Sequence, residues 1–528
     1  MVGEPTEIEI KLSVSPEDIV ALQNHPSFAG TLHDPTSETL KTVYFDSRSR
    51  LLRHHGFTLR VRHNGDKRVQ TVKAANNGGG YFERSEWEQM IEGDRPDLTL
   101  VKDTALGVIL VNEADKTLQP VFETRIKRTA YHLNGNGADV LMAIDQGNIV
   151  ATGSSLPVSE IELELKGGNP ADLFKIARDI LNIIPAHLDF KSKSERGYDL
   201  EKTAITAETA RDPELRPGMT AGRAFALVGR TCLRHLVVNV PAMMDRDAYA
   251  LHQMRVALRR LRTAISLFSP VVDDDRVSAI KSELRWLAQE FGPARNLDTL
   301  LVDVIKPLRK RHPNEPGLVS IRNMFARKRL TSYRQALKAV QSARFSRLVL
   351  DTVEWVETGP WSTSEDPLMS ARRELPVEIY AAGQLSQRRK KIRRRGARIG
   401  TLTPEQLHRL RIQVKKARYA TEFFSGLFPG RKCARRRETI KSSLMQLQNS
   451  LGEVNDFVSH KTLFADIITR PTRGLTGDQN HHRAFAAGLI IRNQQAQVKK
   501  SLDRARNAYS RFDGAKAFWK LPIRNNAE

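Results

Sequence analysis

Polar and apolar residues alternate with a period of two in short segments between positions 7 and 166. The segments are EIEIKL (7–12), TVYFD (42–46), FTLRVR (57–62), QTVK (70–73), RSEWEQ (84–89), AIDQG (143–147) and EIELELK (160–166). Successive side chains of a β-strand point to opposite faces, so this alternation predicts strands with one apolar face to bury. The segment Asn76-Asn77-Gly78-Gly79-Gly80 predicts a hairpin connection between QTVK and RSEWEQ.

The pattern changes to that of helices in the second part of the chain. A helix is predicted at 170–182, where Asn169 and Pro170 suit an N-cap and a first turn. Residues 201–220 show no periodicity, and beyond them apolar positions recur at the spacing of amphipathic helices. A chain of 528 residues also exceeds one ordinary hydrophobic core. We therefore expect a multidomain α+β protein in which a strand-rich domain precedes a linker at 201–220 and an all-α domain follows it.

Charge separates the same two parts of the chain. Residues 1–210 hold 24 Lys and Arg against 31 Asp and Glu, a net charge of −7, whereas the whole chain carries +24 and the remainder therefore +31. A field of that sign attracts polyanions such as nucleic acid, anionic lipid or phosphate polymers. Nucleic acid is disfavoured, because the basic segments lack interleaved aromatic residues on which bases could stack.

Simple features of the sequence argue against a membrane or secreted protein. No run of about 18 apolar residues is present, so no spanning helix and no membrane partner are expected. The first residues are acidic and lack the apolar stretch of a signal peptide. Cys232 and Cys433 lie too far apart in sequence to suggest a disulfide framework or a cysteine metal site. We expect a cytoplasmic protein.

The predicted strands carry charged residues on the face opposite the apolar one. These sets are Glu7, Glu9 and Lys11; Arg60 and Arg62; Arg84, Glu86 and Glu88; and Glu160, Glu162 and Glu164. For one strand a solvated face is the simpler explanation, but three carboxylates in a row repel one another unless cations lie between them. Closing the strands into a barrel would bring acidic and basic rows into one lumen. Carboxylates there suit Mg²⁺ or Mn²⁺ and the cations suit phosphate, which together serve phosphoryl transfer.

Glu7-x-Glu9-x-Lys11 resembles the ExExK signature of the CYTH, or triphosphate tunnel metalloenzyme, superfamily. Further motifs of that family follow in the same order: Tyr44-Phe45-Asp46, Leu59-Arg60-Val61-Arg62, Thr71-Val72-Lys73, Arg84-x-Glu86-x-Glu88, Asp145-x-Gly147, Glu160-x-Glu162-x-Glu164 and Lys193-x-x-Arg196-Gly197-Tyr198. The resemblance covers residues 1–200. It implies an eight-stranded antiparallel β tunnel with helices that hydrolyses or cyclises triphosphates with Mg²⁺ or Mn²⁺.

The resemblance also implies roles for individual residues. The metal ligands would be Glu7, Glu9, Glu162 and Glu164, with Asp145 and Glu88 close by. The triphosphate would be held by Lys11, Arg60, Arg62, Lys73, Arg84, Lys193 and Arg196. Lys11, Glu162 and Glu164 would be catalytic, with the carboxylates aligning a water and the lysine stabilising charge on the phosphoryl oxygens.

One more predicted strand, FETRIKRTAYHL (122–133), should add a basic residue to the triphosphate site. Arg125 and Arg128 differ in parity, so both face the lumen only if a bulge intervenes. We favour Arg128 and keep Arg125 as the alternative. Lys127 points outward if Arg128 points inward.

Several substrates fit the resemblance, since adenylate cyclases, thiamine triphosphatases and inorganic triphosphatases share this scaffold. A nucleobase or thiamine needs an apolar or aromatic site, whereas only 6% of the residues are aromatic. We therefore expect hydrolysis of tripolyphosphate to pyrophosphate and phosphate. The alternatives are an adenylate cyclase, a nucleoside or thiamine triphosphatase, or a polyphosphate-binding protein without activity.

An internal repeat marks the helical part of the chain. HQMRVALRRLRTA (252–264) aligns with HRLRIQVKKARYA (408–420) at a constant offset of 156. On a helix, the repeated basic positions form one stripe beside an apolar row. We call these residues the basic stripe: His252, Arg255, Arg259 and Arg262 in the first copy, and His408, Arg411, Lys415 and Arg418 in the second. Arg260 and Lys416 point away from the stripe and are expected to be solvated.

Similar segments follow the two copies, FGPARNLD (291–298) and LGEVND (451–456). Together with the basic stripe they resemble the CHAD (conserved histidine α-helical domain) family over 219–515. The resemblance implies two similar four-helix halves whose histidine-containing helices bind inorganic polyphosphate. The basic run 388–395 either extends that surface or is a solvated helix end. We expect the helical domain to deliver substrate to the tunnel or to tether the enzyme to polyphosphate granules.

Overall fold

The computed structural model describes residues 6–29, 35–74, 83–102, 104–112, 117–135, 137–151, 153–201, 206–470 and 474–520. The hairpin connection expected at 76–80 lies outside these residues. The chain divides into two compact units. The first comprises Met1–Glu208, Leu233–Ala250 and Val340–Gly359, and the second comprises Thr209–Cys232, Leu251–Ala339 and Pro360–Glu528. The first unit thus includes two short segments from the helical part of the chain.

Nine strands of the first unit form one antiparallel sheet. They are β1 (Thr6–Val14), β2 (Thr36–Asp46), β3 (Phe57–Asn64), β4 (Lys67–Ala74), β5 (Glu83–Ile91), β6 (Gln119–Gly135), β7 (Ala138–Ala151), β8 (Ser154–Gly167) and β9 (Ala186–Leu188). Neighbours run in the order β5-β4-β3-β2-β6-β7-β8-β1-β9, and β1 also pairs with β5. Eight strands therefore close into a ring, while the three-residue β9 adds a ninth strand beside the end of β1.

Helices accompany the strands and cover their apolar faces. They are α1 (Pro16–Gln23), α2 (Pro26–Ala29), α3 (Leu51–His54), α4 (Ala105–Asn112), α5 (Pro170–Ile183) and α6 (Lys193–Asp199). α5 confirms the predicted helix, with Asn169 in a capping box and Pro170 in the first turn, and it packs against β1 and β8. Leu106 of α4 packs with Leu59 and Val72. The apolar faces of the strands thus point outward beneath helices, and the charged faces point into the ring.

The second part of the chain is helical. Its helices are α7 (Ala221–Val237), α8 (Val240–Met244), α9 (Ala248–Leu267), α10 (Val277–Glu290), α11 (Gly292–Thr299), α12 (Lys306–Arg311), α13 (Pro316–Val340), α14 (Ala343–Thr358), α15 (Pro367–Arg373), α16 (Val377–Gly396), α17 (Pro404–Phe423), α18 (Arg431–Thr469) and α19 (Gly477–Gly514). A π-helix, Leu300–Ile305, connects α11 and α12, and Pro360–Ser362 and Ser425–Leu427 are 3₁₀ turns. Among the described residues, no helix combines the length and apolarity needed to cross a membrane.

The offset of 156 relates whole helices and not only one motif. The bounds of α9 and α17 differ by 156 at both ends, and α7 and α16 begin 156 residues apart. The 39-residue α18 corresponds to the stretch from α10 to α12, where Pro293 and Pro307 lack the amide hydrogen that an unbroken helix uses. α19 corresponds to α13 and α14, which are separated where Ser342 caps α14. Each half therefore has four helical positions, as the resemblance implied.

The apolar rows of the repeat are buried as predicted. They are Leu251, Met254, Leu258 and Leu261 on α9, and Leu407, Leu410, Val414 and Ala417 on α17. Removing these side chains from water favours folding by about 1.5–3 kcal/mol for each large residue. This burial fixes the rotation of both helices, so that the basic stripe lies beside the core.

Candidate functional site

The inner face of the ring carries rows of opposite charge. Across β1 and β8, Lys11 lies opposite Glu162, and across β6 and β7, Arg128 lies opposite Asp145. Side chains at paired positions of one sheet face are direct neighbours. The register of the strands therefore brings cations and carboxylates together inside the ring.

Lys11 ends among three carboxylates. Its ammonium lies 2.9 Å from Glu162, 3.8 Å from Glu9 and 3.9 Å from Glu160, and the residue is only 7% exposed. Burial on its own would lower the pKa of Lys11, but Glu162, Glu9 and Glu160 outweigh it and raise the pKa. Lys11 is therefore protonated at neutral pH and able to donate hydrogen bonds.

Helix α6 carries a second lysine into the same cluster. Its N-cap Ser192 closes a capping box, which places Lys193 at the first helical position. The ammonium of this lysine lies 2.6 Å from Asp145, 2.5 Å from Glu160 and 2.9 Å from Glu162. Burial would lower the pKa of Lys193, but the three carboxylates raise it.

Arg128 completes the cations around Glu162. It donates to both oxygens of Asp145 at 2.7 Å and lies 2.5 Å from Glu162. Burial would raise the pKa of Glu162, but Lys11, Lys193 and Arg128 hold it well below its ordinary value. The carboxylate of Glu162 is therefore ionised and can orient a polar ligand.

A second group of charges lies across β1, β3, β4 and β5. Lys73 lies 2.6 Å from Glu7 and 2.9 Å from Glu86, and Arg60 lies 3.3 Å from Glu86. Arg62, two residues further along β3, has no carboxylate within 4 Å in the part of the chain that the structure describes. Repulsion by Arg60, together with burial, lowers the pKa of Arg62. Glu88 offsets this repulsion only in part, so Arg62 is a tunnel cation that no carboxylate among these residues contacts directly.

An apolar cluster fills the lumen beyond the charged rows. Its members are Tyr44, Phe122, Ile126, Ile149, Val158 and Tyr198. The Tyr44 and Phe122 rings stack at 4.5 Å, and Phe122 meets Tyr198 of α6 edge to face at 5.2 Å. A Cβ added to Gly197 would lie 2.2 Å from a ring carbon of Phe122. α6 therefore docks directly on this cluster, and that contact sets the position of Lys193.

The structure adds two carboxylates to the expected set. Glu86 contacts Lys73, and Glu160 contacts Lys193, although neither was expected to be a site residue. The sequence carried the signal, since Glu86 shares a strand face with Glu88 and Glu160 shares one with Glu162. Strand parity alone would have found both.

The alternative of Arg125 as a tunnel residue is corrected by the structure. Its side chain is 66% exposed and pairs with Glu123 at 2.6 Å. β6 pairs with β7 without a bulge at this point, so the opposite parity of Arg125 and Arg128 is kept. Only Arg128 reaches the cluster.

Other expected residues lie at the margin of the cluster. Glu88 is 46% exposed in its side chain, and Glu164 lies 2.6 Å from Lys166. Arg196 pairs with Glu160 on the inner face. The side chain of Arg84 lies outside the described residues.

The carboxylate oxygens suit a hard divalent ion. Asp145, Glu160 and Glu162 each offer an oxygen, all within 4.8 Å of one another, and such oxygens are the ligands that Mg²⁺ and Mn²⁺ prefer. Two ammonium and two guanidinium groups already neutralise these three carboxylates. Glu9 and Glu164 face each other across β1 and β8 with fewer cations nearby. The oxygens of Asp145, Glu160 and Glu162 are thus close enough together to hold one divalent ion, and Glu9 and Glu164 lie beside them on β1 and β8.

The two copies of the basic stripe lie close together in the second unit. Burial, followed by the charges of Arg411, Arg259 and Arg255, lowers the pKa of Lys415 to about 7. Burial and Arg259 likewise lower the pKa of Arg255 to about 10. Residues of α9 thus act on a residue of α17. The Nε atoms of Arg259 and Arg411 are buried and have no hydrogen-bond partner among the described residues, so no described acceptor neutralises the stripe at these atoms.

The remaining stripe residues surround this centre. His408 Nδ1 lies 2.6 Å from Asn455 Oδ1, and Arg418 is held by polar side chains of α17 and α18. His252 and Arg262 belong to the same α9 helix. Burial and a neighbouring arginine lower the pKa of Arg262.

The expectation that Arg260 and Lys416 are solvated is wrong. Arg260 is 4% exposed and lies 3.4 Å from Glu422 and 3.3 Å from Asp212. Lys416 is half-buried and donates to the hydroxyl of Ser266 at 3.1 Å. The partners of Arg260 lie 48 and 162 residues away in sequence, so the helical period could not reveal them.

The basic run 388–395 makes structural contacts that neither interpretation included, and only its last residues fit a solvated helix end. Arg388 is buried, Arg389 donates to the carbonyl of Asp513 at 2.9 Å, and Arg393 pairs with Asp513 at 2.5 Å. The last two arginines of the run are exposed. The run is therefore partly a structural contact with the end of α19 and partly a solvated helix end.

Comparisons with known proteins identify both parts of the chain. The family model described as CYTH domain matches residues 5–198, and the CHAD domain model matches residues 228–465. An inorganic triphosphatase of Haemophilus influenzae is 31% identical over 201 residues, which span 36% of this chain and 54% of that protein. An uncharacterized protein of Mycobacterium tuberculosis is 24% identical over 535 residues, 94% of this chain and 95% of that protein. The CHAD domain solved from the plant Ricinus communis is 25% identical, with 59% of this chain and 98% of that domain covered at a TM-score of 0.49.

Proposed function

Because the chain consists of a CYTH domain followed by a CHAD domain, we propose that it is a metal-dependent inorganic triphosphatase with a polyphosphate-binding helical domain. The enzyme hydrolyses tripolyphosphate to pyrophosphate and phosphate. The observation that carries this proposal is the enclosed cluster in which Lys11, Lys193 and Arg128 surround Glu162. The proposed domains are 1–200 for catalysis, 201–218 as a linker and 219–515 for polyphosphate binding.

Cations on both sides of the lumen bind the triphosphate. The proposed ligands are Lys11, Arg60, Arg62, Lys73, Arg84, Arg128, Lys193 and Arg196. Arg62 has no carboxylate partner among the described residues, so a phosphoryl oxygen gives it the anion that it lacks. Arg60 and Lys73 both contact Glu86. Their remaining N–H groups can donate hydrogen bonds to the substrate. The bound polyanion is thus neutralised along its length.

Carboxylates on β1 and β8 are the proposed ligands of Mg²⁺ or Mn²⁺. The set is Glu7, Glu9, Glu162 and Glu164, with Asp145 and Glu88 close by. Such an ion, when bound, polarises phosphoryl oxygens and neutralises developing charge. Glu9 and Glu164 are directly opposed in the register of β1 and β8, which supports their sharing one cation.

Glu162 and Lys11 have different roles in the proposed hydrolysis. Glu162 is held ionised, so it accepts a hydrogen bond from the attacking water and orients it, with Glu164 as its neighbour on the strand. Lys11 is held protonated, so it donates to a phosphoryl oxygen whose charge grows in the transition state. The water oxygen bonds to the terminal phosphorus as the bond from that phosphorus to the pyrophosphate oxygen breaks. The protons of the water end on the phosphate products, so Glu162 and Lys11 return to their starting protonation states.

The apolar side chains of the lumen favour an inorganic substrate over a nucleotide or thiamine triphosphate. Tyr44 and Phe122 are buried against each other in the apolar cluster, and Trp87 packs on the outer side of the strands near Leu59. Tyr81 and Phe82 lie outside the described residues. The described lumen therefore offers no free aromatic face on which an organic ring could stack.

The basic stripe supports polyphosphate binding by the helical domain. A phosphate polymer carries about one charge per unit, and a row of arginines and lysines engages successive units. Among the described residues, the Nε donors of Arg259 and Arg411 have no hydrogen-bond acceptor. The positive charges near Lys415 disfavour its protonated form. A bound polyanion would relieve that repulsion.

The test is a phosphate-release screen of the purified full chain. Tripolyphosphate, ATP, thiamine triphosphate and long-chain polyphosphate are each supplied with Mg²⁺, with Mn²⁺ or with a chelator. We expect release from tripolyphosphate at a kcat/KM well above that for ATP, and none with the chelator. Faster turnover of ATP, or no metal-dependent release from tripolyphosphate, would contradict the proposal.

A further inference from the structure

A cavity of about 380 Å³ lies within the helical unit, between the end of α9, α16 and α17. Its volume is at the small end of the range for ligand pockets, about 300–1,000 Å³. The charged and amide side chains that line it are Gln384, Gln387, Arg388, Lys391, Gln413 and Lys416. No Asp or Glu is among the described residues that line this cavity. The wall therefore offers many hydrogen-bond donors and three cations but no carboxylate to neutralise them.

Arg388 is the clearest sign that the cavity takes an anion. The residue is 6% exposed, and its Nε has no hydrogen-bond partner among the described residues. Within the same part of the chain, no carboxylate lies within 4 Å of its guanidinium. An arginine is always charged at physiological pH, and burying an unpaired charge is costly. A bound oxyanion would supply the missing partner.

Lys416 adds a second uncompensated charge to the cavity. Its ammonium donates to the hydroxyl of Ser266 at 3.1 Å, a neutral partner. Burial lowers the pKa of Lys416, and the charges of Arg388, Lys391, Arg262 and Lys281 lower it further. These shifts mark mutual repulsion among cations that share one space.

On α17 the cavity faces away from the residues of the basic stripe, although Arg262, a stripe residue of α9, acts on Lys416. At about 100° per residue, Gln413 lies about 160° around α17 from both Arg411 and Lys415. Lys416 lies about 100° from Lys415. The cavity therefore opens on another side of α17 than the surface proposed for the polymer.

We propose that this cavity binds a small inorganic phosphate, orthophosphate or pyrophosphate, at a site distinct from the basic stripe. Arg388 and Lys416 pair with the phosphoryl oxygens, and the glutamine amides donate the remaining hydrogen bonds. Orthophosphate and pyrophosphate are also the products of the hydrolysis proposed above, so the site would report product concentration to the helical domain. The inference stands on the cavity itself and does not require the tunnel to be active.

The experiment is isothermal titration of the full chain with pyrophosphate, and separately with orthophosphate, in the presence of a chelator. The variants are Arg388→Gln and Lys416→Gln, with Lys390→Gln as a matched control, since Lys390 is exposed on α16 and does not line the cavity. We expect both cavity variants to weaken one binding site at least about tenfold and the control to leave it unchanged. Lys391→Gln serves as a third cavity variant should Arg388→Gln fail to fold.

Two further measurements separate this site from the proposed functions. Retention of long-chain polyphosphate and hydrolysis of tripolyphosphate are expected to be unchanged in Lys416→Gln. Identical isotherms for the cavity variants and the wild type would overturn the proposal. A second outcome would also overturn it: the wild type binds neither orthophosphate nor pyrophosphate, and the cavity variants lose polyphosphate retention. The cavity would then be part of the surface that binds the polymer.

Discussion

Single ionisable residues of the tunnel are held in their charged forms by their neighbours. Burial would raise the pKa of Asp145, but Lys193 and Arg128 lower it. A carboxylate whose pKa is lowered by folding stabilises the protein above its ordinary pKa, near 4, and this contribution is lost as pH falls through the lowered value. The charged cluster thus supports both the ring and its chemistry at neutral pH.

Arg128 and Arg125 form a matched pair for testing the tunnel site. Arg128→Gln removes the cation that joins Asp145 and Glu162, so we expect kcat/KM for tripolyphosphate to fall about 100-fold. Arg125→Gln removes an exposed arginine of the same strand and should change kcat/KM by less than about twofold. Steady-state phosphate release measures both variants. Equal effects of the two substitutions on kcat/KM would show that Arg128 is not part of the catalytic site.

If the helical domain binds polyphosphate as proposed, Lys415 should make that binding depend on pH. Its pKa of about 7 lies below the ordinary lysine value, so the free protein carries a largely neutral Lys415 at pH 9. A polyanion binds the charged form, and affinity should therefore fall as pH rises from 7 to 9, by up to about tenfold per unit. Titration with long-chain polyphosphate across this range measures the dependence, at pH values where unperturbed histidines are already neutral.

Lys415→Met is the control for that dependence. The variant should bind polyphosphate more weakly at pH 7 and lose the pH dependence above it. Because the folded chain releases the Lys415 proton at a lower pH than the unfolded chain, stability of the wild type should rise with pH between about 7 and 10 through this group. Thermal unfolding of the variant should lack this contribution. A pH dependence that survives in Lys415→Met would assign it to another group.

At the scale of elements, α6 couples the apolar cluster to the charged one. The helix is seven residues long, its Gly197 contacts Phe122, and its first residue is Lys193. Because the helix is so short, a change at Gly197 should also move Lys193 at its other end. The contact between Gly197 and Phe122 explains why a glycine stands in the Arg196-Gly197-Tyr198 motif.

Gly197→Ala tests the coupling. The new methyl group would overlap the Phe122 ring, which is fixed between Tyr44 and Tyr198, so α6 must shift. We expect a loss of about 1–3 kcal/mol in the free energy of unfolding, together with a lower kcat. Gly93→Ala is the control, since its new Cβ would come no closer than 3.9 Å to another atom. Thermal unfolding and phosphate release that match the wild type in Gly197→Ala would show that α6 is free to adjust.

The two proposed polyanion sites of the molecule differ in construction. The tunnel encloses its cations among carboxylates, whereas the basic stripe gathers cations whose neighbours repel them. An enclosed site is screened little by salt, and an open basic surface is screened strongly. The first suits a short anion with a metal, and the second suits a long polymer.

The two sites should separate in paired variants of the full chain. Arg62→Gln should lower kcat/KM for tripolyphosphate at least about tenfold and leave polyphosphate retention intact. The double variant Arg259→Gln and Arg411→Gln should do the reverse. Retention of the wild type should weaken steeply as salt rises from 50 to 500 mM. Loss of both activities in either variant would show that the domains do not act independently.

Much of the fold could be predicted because periodicity is a local property. Strand parity placed Lys11, Glu162 and Arg60 on the faces that line the ring, and the repeat offset of 156 related the two basic helices α9 and α17. Both patterns follow from the geometry of one strand or one helix, without knowledge of its partners. The sequence by itself therefore determined which face of each element is charged and which is buried.

Only the tertiary structure decided which charges meet. The closure of β1 on β5, the docking of α6 that brings Lys193 to Asp145, and the burial of Arg260 beside Glu422 join residues far apart in the chain. The cavity around Arg388 likewise needs three helices to exist. The period of a strand or helix fixes the direction in which each side chain leaves its own backbone. Which side chains pair, and whether a cavity forms, depends on where the other strands and helices lie.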